Sequence, residues 1–325
     1  MSGDLGAEVV VRAAAATLQK YRNLELILVG DSDQLRGLVD GIIGSDSRLR
    51  IEHASEVVGM SEAPAEALRK KKNSSMRVAI NLVKEGAADA CVSAGNTGAL
   101  MATAKFVLKM LPGIDRPAII AELPAMGGTV HMLDLGANTQ ATAEQLFQYA
   151  VMGSIVAADI RRIKAPRIAL LNIGAEDTKG HDTVKEAAAV LNASTLNYVG
   201  FVEGTDLMSG KADVVVTDGF SGNVALKTIE GTVAFGKHIL ARAFKRNWIT
   251  KLQAFLASSV LRHLSAEMDS RNYNGATLAG LNGIVIKSHG SADAYAFQHA
   301  IDTAIVEVRN QLPQQIGTLL QKETA

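Results

Sequence analysis

Four times along the chain a short apolar run ends in a glycine- and asparagine-rich polar turn that feeds a helix-like segment. The turns are Ser93-Ala-Gly-Asn-Thr-Gly98, Asp134-Leu-Gly-Ala-Asn138, Asn172-Ile-Gly-Ala-Glu-Asp-Thr-Lys-Gly180 and Thr217-Asp-Gly-Phe-Ser-Gly-Asn223. They follow candidate buried strands at Ala90–Val92, Val130–Leu133, Ile168–Leu171 and Val214–Val216. This rhythm predicts turns at the carboxyl ends of parallel strands, where open α/β sheets bind ligands. Glycines let backbone come close to a ligand, and free N–H groups at the following helix starts attract anions. A phosphate-bearing or phosphate-like substrate is the first expectation.

Composition narrows the class. With 325 residues, 48% of them hydrophobic and 20% charged, the chain can bury one large core or two medium ones. Lys plus Arg and Asp plus Glu both number 33, so no global field recruits nucleic acid. The one cysteine, Cys91, excludes an intramolecular disulfide and fits a reducing compartment. No charge-free apolar stretch is long enough to span a bilayer, and no signal peptide opens the chain, so the expected location is the cytoplasm.

Residues 1–325 read as one α/β domain. A helix is predicted over Glu8–Tyr21, with a loop at Ser2–Gly6 and no strand ahead of it; Leu24–Val29 then reads as a strand and Leu35–Ile43 as a helix. Asn73-Ser-Ser75 offers capping chemistry for a helix to about Lys84, and Gly86 ends it. Gln145–Val156 and Asp182–Leu191 read as crossover helices around a strand at Asn197–Val202, and a last helix runs from about Ala292 to Leu312. Thr232–Ala266 differs in kind, carrying Phe235, Ile239, Phe244, Trp248, Phe255 and Leu256 among basic residues and no acid. It is expected to project from the sheet as a helical pair.

Several chemistries are excluded by pattern. Neither a G-x-G-x-x-G nor a G-x-x-x-x-G-K-[ST] run occurs, which counts against dinucleotide and P-loop sites. No G-x-S-x-G elbow supports a serine hydrolase. His131 and His181 lack spaced partners, so no metal is expected. Cys91, between Ala90 and Val92, reads as a small buried hydrophobe rather than a nucleophile. Each strand-end carboxylate, taken alone, reads more often as a helix cap or turn former than as a site group. Their clustering favours a crevice in which Lys179 would be a cation among carboxylates and amides.

Lys71-Lys-Asn-Ser-Ser-Met76, Ser93–Met101, Gly113-Ile-Asp-Arg-Pro117, Asp134–Asn138, Asp218–Val224 and Lys287-Ser-His-Gly290, in this order, resemble the bacterial phosphate acyltransferase family. The resemblance runs over nearly the whole chain. It implies a three-layer α/β/α fold with a mostly parallel sheet, similar to phosphate acetyltransferases and isocitrate dehydrogenases. It also implies a homodimer, no cofactor, and formation of acyl phosphate from acyl-[acyl-carrier-protein] and inorganic phosphate. The product would feed a membrane glycerol-3-phosphate acyltransferase in phospholipid synthesis. Family members open with a β-strand and an Asp-Ala-Met-Gly-Gly-Asp turn; here Met1-Ser-Gly-Asp4 lacks the strand and has Ser2 in place of glycine. Thr139-Gln140 stands where the family tends to have Val-Asp.

On this reading Asn96, Thr97 and Gly98, with Asn138, Asn223 and Lys179, bind phosphate and the oxyanion, while Asp218 and His289 orient groups or move a proton. Ser93, Gly95, Asp134, Glu176 and Gly222 complete the substrate site. A coenzyme-A-dependent phosphate acyltransferase of short acids would use the same turns, and a noncatalytic anion-binding module docking at a membrane is the alternative outside enzymes. The basic and aromatic residues of 232–266 predict a dimer contact, an anchor at the anionic inner face of the membrane, or both.

Overall fold

In the computed structural model, which describes residues 3–324, the chain begins with α1 (Ala7–Lys20), β1 (Leu26–Gly30), α2 (Ser32–Ile42) and β2 (Leu49–His53). It continues through α3 (Pro64–Lys70), α4 (Ser75–Lys84), β3 (Ala90–Ser93), α5 (Thr97–Leu108), β4 (Ala118–Ala125) and β5 (Gly128–Leu133). Next come α6 (Ala143–Arg161), β6 (Ile168–Leu171), α7 (Asp182–Ala193), β7 (Tyr198–Val202) and β8 (Val214–Val216). The excursion is α8 (Gly219–Phe244), α9 (Trp248–Leu256) and α10 (Ser258–Glu267), and β9 (Ala276–Ala279), β10 (Ile284–Lys287), α11 (Ala294–Arg309) and α12 (Leu312–Thr324) close the chain. Met1 and Ser2, where the sequence departs from the family, lie outside the described residues.

Eight strands form one sheet in the order β3-β10-β9-β4-β5-β8-β6-β7, and β1 and β2 make a separate parallel pair. β5, β8, β6 and β7 run parallel, as do β3 and β10. Antiparallel pairings of β10 with β9, β9 with β4, and β4 with β5 reverse the sense between these two sets. The central strands are apolar on both faces because helices cover both. Val214 and Val216 face the core built with α6, α7 and α12, whereas Val215 faces the core built with α4 and α5. Leu133 and Met132 divide the same way, as a period of two requires.

The four strands before the predicted turns, the strand at Asn197–Val202 and the last strand all form. Three strands have no counterpart in the sequence reading. β2 (Leu-Arg-Ile-Glu-His) alternates polar residues on a small sheet, β4 contains Pro124, and β9 (Ala-Thr-Leu-Ala) is only four residues long. The excursion is a single 26-residue helix, α8, followed by two short helices rather than a simple pair. α11 stops at Arg309, and Gln311, at φ 52°, turns the chain into the separate α12.

One carboxyl inside this fold titrates abnormally. Glu307 on α11 is 1% exposed, and its carboxyl accepts from the Thr277 hydroxyl on β9. Burial pushes its pKa from the ordinary 4.5 up to about 8. Such a group contributes stability that is full below its unfolded pKa and is lost as pH rises toward the folded value. Thermal melts should show Tm of the parent falling between about pH 5 and pH 8, with a flatter fall in Glu307→Gln; parallel curves would contradict the assignment.

Candidate functional site

The second and fourth turns are built as one unit. Asp134, fully buried at the end of β5, accepts through Oδ1 from the N–H groups of Ile119, Gly136 and Ala137 at 3.0, 3.2 and 2.9 Å. Its Oδ2 accepts from the N–H of Asn138 at 2.7 Å and from Asn138 Nδ2 at 3.0 Å. Burial pushes the carboxyl above its usual range, and these donors pull it back. Asn138 Nδ2 also donates to the Pro117 carbonyl and the Tyr149 hydroxyl. Asp134 and Asn138 are thus occupied in holding the turn together.

The turn after β8 lies directly on this one. Gly219 N–H donates to the Asn138 carbonyl at 2.7 Å, and a Cβ on Gly219 would stand 2.6 Å from that oxygen. A Cβ on Gly222 would collide with the Asp134 carbonyl. Asp218 caps α8, accepting from Ser221 N–H at 2.8 Å and from its hydroxyl at 2.9 Å. Asn223 stands exposed over Gly136, with Phe220 63% exposed beside it in sequence. The third turn, after the adjacent β6, is pinned by Asn172, whose Nδ2 donates to the Lys179 carbonyl at 3.1 Å. Glu176, Lys179 and Ile173 are exposed on it.

The first turn belongs to a second group, because β3 and β10 run opposite to β5, β8 and β6. The single crevice over adjacent strands, expected from sequence, therefore gathers only three of the four turns. Beside the first turn lies Lys287-Ser-His-Gly290, where Ser288 N–H donates to the Ser93 carbonyl at 2.9 Å. Ser93 Oγ accepts from Gly95 N–H. Asn96 caps α5 through Oδ1, accepting from Ala99 N–H at 3.0 Å. Its Nδ2 donates to the carbonyls of Gly59, Met60 and Glu62 at 3.3, 2.8 and 2.9 Å. Thr97 is exposed at the helix start, and a Cβ on Gly98 would meet Pro64 at 2.8 Å. The Asn96 side chain is therefore spent on positioning, and the open groups of this turn are Thr97 and the backbone at the start of α5.

His289 is exposed, with Nδ1 accepting from Ser291 N–H at 3.2 Å, which places the proton of the neutral ring on Nε2. Its backbone N–H donates to Asn274 Oδ1 at 2.9 Å. The residue that sequence reasoning missed is Lys287, two positions earlier. It is 9% exposed, its Nζ donates to the Ser288 carbonyl, and burial lowers its pKa to about 8. Asp4 raises that value and Lys227, on the third turn of α8, lowers it further. Asp4 itself is tied to Gly290, its N–H donating to that carbonyl at 2.8 Å. The available signal was a lysine closing the apolar run Gly283-Ile-Val-Ile286, sharing by alternation the inward face of Val285. α8 joins the groups: it starts on the fourth turn and carries Lys227 within electrostatic reach of Lys287.

Cys91 is buried, with its thiol pushed up to about 12 by burial, so it is no nucleophile. No cluster of three or more His, Cys, Asp or Glu side chains able to hold a metal occurs among the described residues.

Comparison with known proteins agrees with this architecture. The family described as "Fatty acid synthesis protein" matches residues 1–315. "Phosphate acyltransferase" of Nitrosococcus oceani is 56% identical over 324 residues, 99% of this chain and 95% of that protein. The protein of the same name from Legionella pneumophila (strain Paris) is 53% identical over 315 residues, 96% of this chain and 92% of its own length. Among solved structures, a phosphotransacetylase from Streptococcus pyogenes superposes with a TM-score of 0.62 at 22% identity, covering 94% of this chain and 92% of its own. A branched-chain phosphotransacylase from Enterococcus faecalis gives 0.59 at 15% identity, covering 94% and 97%. The two structures share the fold, and the sequence relatives, matched almost end to end, show that this chain belongs to the phosphate acyltransferase family.

Proposed function

We propose that this phosphate acyltransferase joins inorganic phosphate to the acyl group of an acyl-carrier-protein thioester across its two groups of turns, with no covalent enzyme intermediate. The observation that carries the site assignment is Lys287, a buried lysine at the end of β10 whose pKa the charge of Lys227 lowers further, Lys227 itself being paired with Glu230 at 2.8 Å on the surface of α8. Like charges repel, and a bound anion relieves them. Phosphate is placed there, with Thr97 and the free N–H groups of α5 completing its cradle. His289 and Asp4 flank that cradle and orient the anion.

A phosphate oxygen then attacks the thioester carbon, the carbonyl oxygen takes up charge, and the C–S bond breaks to release the pantetheine thiolate. Phosphate needs positioning more than deprotonation, and a thiol of pKa about 8.5 leaves without much acid help. The costly charge is on the oxyanion, where an aimed donor contributes about 3 kcal/mol. Asn223 and Lys179 are the exposed polar groups placed to supply it, with Asp218 and Gly222 fixing the start of α8 and Asp134 and Asn138 the floor beneath. The exposed Phe220 and Ile173 offer the thioester arm an apolar approach. Gly95, Ser93 and Glu176 shape the two rims.

The excursion supplies the remaining surfaces. No helix among the described residues is long and apolar enough to cross a membrane. Trp248, Phe255 and Leu256 are nevertheless 75, 74 and 73% exposed, with Lys245, Arg246 and Lys251 close by in sequence. Such a patch is read as a homodimer contact that also rests on an anionic membrane surface, so that the acyl phosphate passes to a membrane glycerol-3-phosphate acyltransferase.

The direct assay is acyl phosphate formation from acyl-carrier-protein thioesters beside acyl-coenzyme A; activity confined to short coenzyme A esters would replace the donor, and none with either would refute the enzyme. Lys287→Met is expected to raise Tm, because a buried charge is removed, while weakening the apparent phosphate affinity at least about tenfold. In the parent that affinity should decline as pH rises through about 8, where Lys287 loses its proton. An unchanged phosphate KM in the variant would remove Lys287 from the site. Asn96→Ala should cost about 2 kcal/mol of stability in denaturant melts, from the lost cap and three lost donor contacts, together with turnover. A loss of turnover at full stability would instead make Asn96 a direct donor. Vesicles containing anionic lipid should float the parent at low salt and release it at high salt, and Trp248→Glu should weaken flotation while activity in solution persists. Parent protein left at the bottom of the gradient at low salt would contradict the membrane contact.

A further inference from the structure

An acyl carrier protein and coenzyme A present the same pantetheine arm, so an enzyme that prefers the carrier must recognise the protein behind the arm. That takes a surface outside the turns that hold phosphate and thioester. One face beside the first turn has the charge for it. The chain as a whole balances 33 cations against 33 acids. Between Ala67 and Lys84, however, Arg69, Lys70, Lys71, Lys72, Arg77 and Lys84 occur with no acid among them. α5 and the residue that ends it add Lys105 and Lys109, again with no acid.

The fold gathers these cations, because α5 packs against both α3 and α4. α3 starts at the rim of the phosphate cradle, where a Cβ on Gly98 would meet Pro64 and where Asn96 holds the carbonyls of Gly59, Met60 and Glu62. Its last turn carries Arg69 and Lys70. Ser74, the cap of α4, donates its hydroxyl to the Lys71 carbonyl at 2.8 Å, so Lys72 leads directly into that helix. Arg77, on the first turn of α4, reaches the far end of α5. Its guanidinium lies 5.0 Å from the centre of the Phe106 ring, and Lys109 Nζ lies 4.9 Å from the same point.

Phe106 is 52% exposed, an apolar anchor held between two cations. Lys70 pairs with Glu66 and Lys71 with Glu62, each at 2.6 Å. Arg69, Lys72, Arg77, Lys105 and Lys109 make no ion pair among the described residues. Unpaired cations around an exposed ring repel one another and suit a partner that supplies carboxylates. Aromatic and arginine side chains are also those that most often anchor interfaces. Phe106 stands roughly 14 Å along α5 from Thr97. Phosphate in the cradle does not reach it, whereas a carrier seated on it puts an extended arm at the cradle rim. A single exposed ring gives little to insert into lipid, which separates this face from the excursion with its several exposed apolar residues.

We propose that the face made by α3, the start of α4 and the end of α5 is the docking surface for an acidic helix of the acyl carrier protein, the reaction proposed above supplying the identity of the partner. Phe106 is its apolar anchor, and Arg69, Lys72, Arg77 and Lys109 meet the carrier's carboxylates. The surface steers the carrier to the enzyme and sets the preference over coenzyme A, while the turns alone handle the thioester.

The test begins with binding of a bacterial acyl carrier protein in its apo form, which lacks the arm, to the full chain. The parent should bind at low salt and release the carrier as salt rises. Phe106→Ala, Lys109→Glu and Arg69→Glu should each weaken binding by about tenfold or more with Tm unchanged, and Lys245→Glu on the excursion should bind as the parent does. In turnover the same three variants should raise the KM for acyl-carrier-protein by a similar factor. Their kcat, phosphate KM and KM for an acyl-pantetheine thioester should stay as in the parent. Carrier bound on this face by a parent that forms no acyl phosphate would support the surface and refute the reaction. No binding of the apo carrier by the parent, equal binding by the parent and the three variants, or a loss confined to Lys245→Glu would overturn the proposal. So would loss of anionic-vesicle flotation in the three variants with carrier binding intact, which would give the face to the membrane.

Discussion

The candidate site rests on one buried carboxylate. Asp134 gathers the N–H groups of Ile119, Gly136, Ala137 and Asn138, and by doing so fixes the turn after β5 as a rigid platform. A buried charge is tolerable only when so many donors surround it. The platform then dictates the next element. α8 can start where it does only because Gly219 and Gly222 let its first turn lie against the backbone of Asp134 and Asn138. From this start α8 carries Lys227 within electrostatic reach of Lys287 and runs on into the excursion. A side chain at either glycine would shift the helix and everything it places.

The sheet explains why the site has two halves. β5, β8 and β6 contribute adjacent turns, as a parallel set should, while β3 and β10 form a second parallel set of opposite sense. β9 and β4 make the reversal between them. This arrangement separates the cationic half, with Lys287 and the start of α5, from the half that carries Asn223 and Lys179. Separation suits a reaction with two unlike substrates, a small dianion and a thioester on a long arm. It leaves α8 as the element that couples them.

Much of this was legible in the chain. Val130–Leu133, Ile168–Leu171 and Val214–Val216 are apolar because both faces are covered, and their glycine-rich turns mark where they end. The family motifs supplied the reaction. What was hidden depends on contacts between distant residues: β4 and β9 lack a strong strand pattern, so the reversal of sense could not be read, and with it the grouping of the turns. Asn96 looked like an open donor because nothing local shows that residues 59–62 will sit on it. Lys287 was passed over for its neighbour His289, since a lysine at the end of an apolar run announces burial only once the helices over that strand are known. Asp134 and Asn138 were expected from sequence at the site, and their partners show that both side chains are engaged in holding the turn after β5 together.

The central claim is that the two groups of turns make one site, with phosphate bound beside Lys287 at the first and α8 transmitting its presence to the start of the helix at the fourth turn. The measurement that tests it most directly is a titration of the isotopically labelled chain with inorganic phosphate, followed by backbone amide resonances. The account predicts that the amides of Thr97 and Gly98 and those of Phe220 to Asn223 move together with one common midpoint, and that His289 follows them. Movement of one group while the other stays fixed, or two separate midpoints, would contradict it.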